Sequence, residues 1–194
     1  MTFTSQESLG QVSTAEGLAS KSMNEGGADL GSSSSRSLGL AILRITLGVI
    51  VLVAWFDNLD KGLYTGDGLV GFIDYLFNAE EGQGNASSLT IYKSFLDAAV
   101  VPFASIVSKF QLVIELGIGI GLILGAFTRF FSLSAFFFFI TVFLGYFGGN
   151  EWIWTYVLLV GTSLTVFLGY AGRTLGIDQF LVKARGKSPF GLLW

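Results

Sequence analysis

The sequence has 194 residues, of which 52% are hydrophobic and only 13% charged, about half the charge of an ordinary soluble domain. A formal charge of -3 and the lack of any long basic run exclude a nucleic-acid footprint. Cys and His are both missing, which excludes disulfides, thiolate or imidazole metal sites and imidazole relays, so that any chemistry must use carboxylates, Arg, Lys, Tyr, Trp or a partner.

Residues 1–37 are rich in Ser, Gly and Glu and show no sustained apolar period. Such a segment cannot bury enough surface to offset its ordering entropy, and it reads as a disordered, uncleaved N-terminal tail. The first apolar run, LGLAILRITLGVIVLVAWF, covers 38–56 with Arg44 as its only charge and Trp55 at its end. Its length gives roughly 28 Å of helix, which matches the hydrocarbon thickness of a bilayer. Residues 57–105 are too polar to span. They hold seven acidic residues against two lysines, and a structureless loop of that length is unexpected. LVGFIDYLF reads as a short helix. So does 89–101, where Tyr92, Phe95, Leu96 and Ala99 share one face and Lys93 and Asp97 point away, as in an interfacial helix. NAEEGQGNASS between them reads as a plain loop carrying an N-glycosylation tripeptide at Asn85.

The second span is expected over 107–126. It contains Glu115 and a glycine repeat (Gly117, Gly121 and Gly125) that lets another helix approach closely. The third span is expected over 131–146 and the fourth over 152–171, which opens with the aromatic anchors Trp152, Trp154 and Tyr156. Residues 182–194 form a basic tail. Lys and Arg counts favour cytoplasmic termini by seven to three, with the acidic segment outside. The expected fold is therefore all-α: a polytopic four-helix membrane bundle over 38–181, with an outer loop containing short interfacial helices.

Arg44 and Glu115 cost roughly 2.5–3.5 kcal/mol or more each at a helix centre unless paired or wetted. Counted from the inner ends of their spans they lie roughly 9 and 16 Å deep, within reach of one another across antiparallel helices. They read either as a structural pair, with Arg44 also able to snorkel inward, or as part of a quinone, substrate or proton site. A second group gathers at the outer rim: Trp55, Asp57, Asn58, Asp60 and Lys61, facing Glu151, Trp152 and Trp154. Aromatic walls with a few charges could seat a quinone head group or a small oxyanion, but Trp and charged residues at this level are also what interfacial anchoring alone predicts, and that is the leading reading.

Three segments in order, LRITLG, ELGIGIGLILGAFTR (Glu115 to Arg129) and GYAGRTLGIDQFL, together with Lys61 after the first span, resemble the DoxX/DoxD family. The likeness covers about Leu38 to Leu181, and the long acidic loop is closer to the DoxD branch. The resemblance implies a four-helix membrane subunit of a thiosulfate:quinone oxidoreductase, working with a small extracytoplasmic or membrane-anchored second subunit. Quinone would be the electron acceptor, with no covalently bound cofactor. Arg44, Lys61, Glu115, Arg129 and Asp178 are the matching positions. The alternative it admits is a non-catalytic accessory or scaffold subunit.

Overall fold

The computed structural model describes residues 35–80, 84–186 and 193. Everything that follows belongs to the compact unit Leu40–Trp194, except residues 35–39. The expected disorder of the N-terminal tail, over 1–34, and most of the basic tail after Gly186 fall outside the described residues.

Every regular element among the described residues is helical. Three helices are long and apolar enough to cross a membrane: α1 (Ser35–Asp60), the continuous run Thr90–Leu124, and α5 (Thr128–Tyr146). Within that run, α3 (Thr90–Ala99) leads through a short turn of 3-10 helix at Pro102 into α4 (Ala104–Leu124). The expected interfacial helices exist as α2 (Gly66–Phe77) and α3. The expected fourth span over 152–171 is shorter than its apolar stretch: α6 is the 15-residue helix Trp154–Leu168. It rises roughly 22 Å, against a hydrocarbon core of about 30 Å. Gly169 caps it, and Tyr170 then takes a left-handed conformation (φ 50°) that turns the chain aside. A last helix, α7 (Asp178–Arg185), follows.

The helices pack around one main core of Leu47 and Val51 from α1, Ile118 and Leu122 from α4, Ala135 and Phe139 from α5, and Val166 from α6. A second cluster joins Leu69 and Ile73 of α2 to Leu96 of α3 and Ala104 of α4. Glycines set two of the contacts. Gly117 and Gly121 leave the space that the Phe131 ring of α5 fills, while Gly119 lies against Leu52 and Gly48 against Gly119, so that α1 and α4 nearly touch. On the outward faces Ile91, Ile106 and Phe110 are more than two-thirds exposed. Apolar side chains exposed along helices of this length point to a lipid bilayer as the surrounding medium.

Candidate functional site

Arg44 is completely buried. One guanidinium nitrogen donates to the carbonyls of Ala171 (2.9 Å) and Thr174 (3.3 Å), and the other to that of Leu175 (2.9 Å). The segment supplying these carbonyls is pinned to the α4–α5 turn. Asp178 accepts from the backbone N–H groups of Phe127 (2.7 Å) and Thr128 (2.9 Å), while its own N–H donates to the carbonyl of Gly125 (2.9 Å). Asp178 thus caps α5, whose own N-cap residue, Phe127, offers no side-chain acceptor. Its carboxylate also stands close enough to attract the Arg44 charge. Gly125 has φ +64°, and a side chain there would strike the guanidinium, so glycine serves both the turn and the close approach.

Glu115 is as buried as Arg44 and has quite different neighbours. Its Oε2 accepts from Tyr64 Oη (2.6 Å) and Asn58 Nδ2 (3.2 Å), and its Oε1 from Gln111 Nε2 (2.7 Å). Gln111 lies one helical turn before Glu115 on the same face of α4. Asn58 comes from the end of α1, where Gly62 (φ +71°) turns the chain so that Tyr64 folds back over the carboxylate. Lys109 fastens the turn by donating to the Tyr64 carbonyl (3.2 Å). Burial, reinforced by the bond to Glu115 and its charge, holds the Tyr64 phenol far above its ordinary value. Tyr64 is therefore a fixed donor.

The expected contact between Arg44 and Glu115 is corrected by this arrangement. Arg44 lies beside Gly125, ten residues further along α4 than Glu115, which corresponds to about 15 Å of helix and exceeds the reach of an Arg side chain. Counting depth from supposed inner ends placed the two too near one another, because α1 and α4 are offset in register.

Glu115 borders a cavity of about 660 Å³ between α1, α2, α4, α5 and α6. Ile50, Val51, Phe138, Phe139 and Leu159 form its apolar part, and Tyr75, Tyr146 and Tyr156 its aromatic polar part. The Tyr146 and Tyr156 rings stack at 4.9 Å. Of the rim residues expected from sequence, Asp57, Asn58, Lys61 and Glu151 do line this cavity, and Lys61 is paired with Asp57 at 2.6 Å. Trp55 does not. Its indole N–H donates to the carbonyl of Leu112 (2.9 Å), so it braces α1 against α4. Trp152 and Trp154 are 73% and 58% exposed and stand apart from the cavity lining, as does Asp60. Arg129 stacks on Phe167 and Tyr170, away from the cavity.

Tyr64 and Gln111 were missed in the sequence. Gln111 left a readable signal, a polar residue one turn from Glu115 in an apolar helix, whereas Tyr64 lies in a turn whose direction no periodicity reveals. Asn85 also differs from expectation. The loop containing it is docked: Asn85 is 1% exposed, its carbonyl accepts from Asn150 N–H and its side-chain oxygen from Glu151 N–H. These bonds close the α5–α6 turn and place Glu151 on the cavity.

No protein-family model matches the chain, and no curated protein or solved structure matches it.

Proposed function

We propose that this chain is the membrane subunit of a quinone-linked oxidoreductase, with the cavity beside Glu115 as the quinone site. The observation that carries the reading is the cavity itself, which joins an apolar chamber to a buried carboxylate held by three side-chain donors. A quinone ring needs apolar faces and donors for its oxygens. Phe138, Phe139 and Leu159 supply the first, while the amides of Asn58 and Gln111 each carry a second N–H beyond the one given to Glu115. Glu115 Oε2 is occupied by two donors, so Oε1, held by Gln111 alone, is the oxygen that takes or gives a proton. A bound quinone would supply a two-electron, two-proton acceptor. The chain's own residues seat it and exclude water from its apolar side.

In this reading α1, α4, α5 and the shorter α6 cross a cell membrane as a four-helix bundle. Both termini are cytoplasmic, and the acidic segment lies outside. The DoxD-like segments make thiosulfate the favoured electron source, oxidised by a second subunit outside the membrane. The test is thiosulfate-dependent quinone reduction in membranes containing the partner, with the wild-type chain, without it, and with Glu115→Gln. A loss of roughly tenfold or more in the variant is expected from removing a proton-transfer group. Equal rates with and without the chain would instead favour a non-catalytic scaffold. That second reading draws on the Arg44–Asp178 cluster, whose charges are spent on holding the chain's own backbone.

A further inference from the structure

The acids that line the cavity differ in how their charge is met. Glu115 is held by Tyr64, Asn58 and Gln111, and Asp57 is paired with Lys61 at 2.6 Å. Glu151 also lines the cavity, yet its carboxylate has neither an ion pair nor a hydrogen-bond donor among the described residues. Only its backbone N–H is engaged, donating to the Asn85 side-chain oxygen at 3.1 Å. Among the described lining residues Lys61 is the single cation. The lining is therefore net negative whichever protonation state Glu115 holds.

Aromatic rings from α2, α5 and α6 accompany Glu151. Tyr146, the last residue of α5, stacks on Tyr156 of α6 with centroids 4.9 Å apart and meets Phe72 of α2 at 6.3 Å. Phe72 in turn stacks on Tyr75 at 6.5 Å. All four rings line the cavity, and Glu151 stands close enough for its charge to act on the hydroxyls of Tyr146 and Tyr156. The docked Asn85 keeps Glu151 in this place through the α5–α6 turn. Ring faces carry the negative part of the quadrupole and attract a cation within about 6 Å of the centroid. An unpaired carboxylate adds a full charge to that attraction. A bare inorganic cation needs several oxygens in place of its water, and no group of three or more acidic side chains able to hold one exists among the described residues. A quaternary organic cation gives up its water more readily and accepts ring faces instead. Ile50, Phe138, Phe139 and Leu159 leave apolar space for the groups attached to it.

We propose that the part of the cavity lined by Glu151, Phe72, Tyr75, Tyr146 and Tyr156 is a binding site for an organic cation with an apolar body, a quaternary ammonium or phosphonium in chemical class. The charge rests among the rings beside Glu151, and the apolar groups extend into the chamber. The site shares that chamber with the quinone reading but rests on other residues, so either can fail alone.

Binding of tetraphenylphosphonium to the full chain is measured in detergent by equilibrium dialysis, with protein-free micelles subtracted. Tetraphenylborate, an anion of nearly the same shape, is measured in parallel. Wild type is expected to bind the cation saturably and to prefer it to the anion. Glu151→Gln weakens the cation by roughly fivefold and leaves the anion no weaker. Tyr156→Leu also weakens the cation by roughly fivefold, whereas Tyr156→Phe, which keeps the ring, stays within about twofold of wild type. Glu115→Gln has a smaller effect on the cation than Glu151→Gln. Unfolding midpoints identify any variant that fails to assemble, and Glu151→Gln carries the test by itself because that side chain holds no other part of the described chain. Unsaturable binding by wild type, equal affinity for the two ions, undiminished cation binding in Glu151→Gln, or a larger loss in Glu115→Gln would each overturn the proposal.

Discussion

Arg44 and Glu115 are equally hidden from solvent, one charge on each of two helices that touch, and the protein surrounds them in opposite ways. Arg44 is bound by main-chain carbonyls of a segment that is itself tied to the α4–α5 turn. Nothing in that shell can rotate away without unmaking the fold. Glu115 is bound by three side chains and has open space on one side. A buried charge held by backbone fixes architecture, while one held by rotatable groups beside a cavity can exchange partners with a ligand. The comparison separates the two residues that hydropathy alone made equivalent.

The sharpest way to break that distinction is to remove each charge in turn. Arg44→Met deprives the carbonyls of Ala171, Thr174 and Leu175 of their donor and leaves the buried Asp178 uncompensated. A loss of about 3–5 kcal/mol is expected, seen as a collapse in the monodisperse yield and unfolding midpoint in detergent. Asp178→Ala uncaps α5 and is expected to cost about 1–2 kcal/mol by the same measurement. Glu115→Gln keeps the shape and most hydrogen bonds, so its stability should change by less than about 1.5 kcal/mol while quinone reduction falls. If it unfolds the protein as thoroughly as Arg44→Met, the two regions are alike after all and the distinction fails.

A finer test uses Tyr64. Its phenol is raised above the ordinary value of 10.0, first by burial and then by Glu115. Its contribution to stability is therefore complete below pH 10 and drains away as pH climbs beyond that value, where the unfolded chain ionises first. Tyr64→Phe should be less stable than wild type by about 1 kcal/mol near neutrality. Above pH 10 that gap should narrow, and chemical denaturation at several pH values would measure it.

Much of the helical layout was readable because burying 19 Phe and the long aliphatic runs leaves few alternatives to helices in lipid. The amphipathic period of 89–101 likewise marked α3. The partners of the buried charges were not readable, for different reasons. Backbone carbonyls carry no residue identity, so the acceptors of Arg44 left no trace in the sequence. The register of α1 on α4 depends on where Gly48 and Gly119 meet, which hydropathy does not specify. The rim residues divided according to direction: Asp57, Asn58 and Lys61 turn toward the cavity, while Trp55, on the same helix, turns to the Leu112 carbonyl. The end of α6 is marked in the sequence by Gly169, but the left-handed turn that follows it falls on Tyr170, a residue type that gives no sign of that conformation.

The docked loop at Asn85 bears on how the protein matures. Its amide nitrogen faces Gly149 in the closed α5–α6 turn, where a sugar has no room. Folding and modification of this asparagine therefore exclude one another. Wherever the segment meets a glycosylating enzyme, the modified fraction counts the chains that were late to close that turn, and the tripeptide becomes a clock for folding.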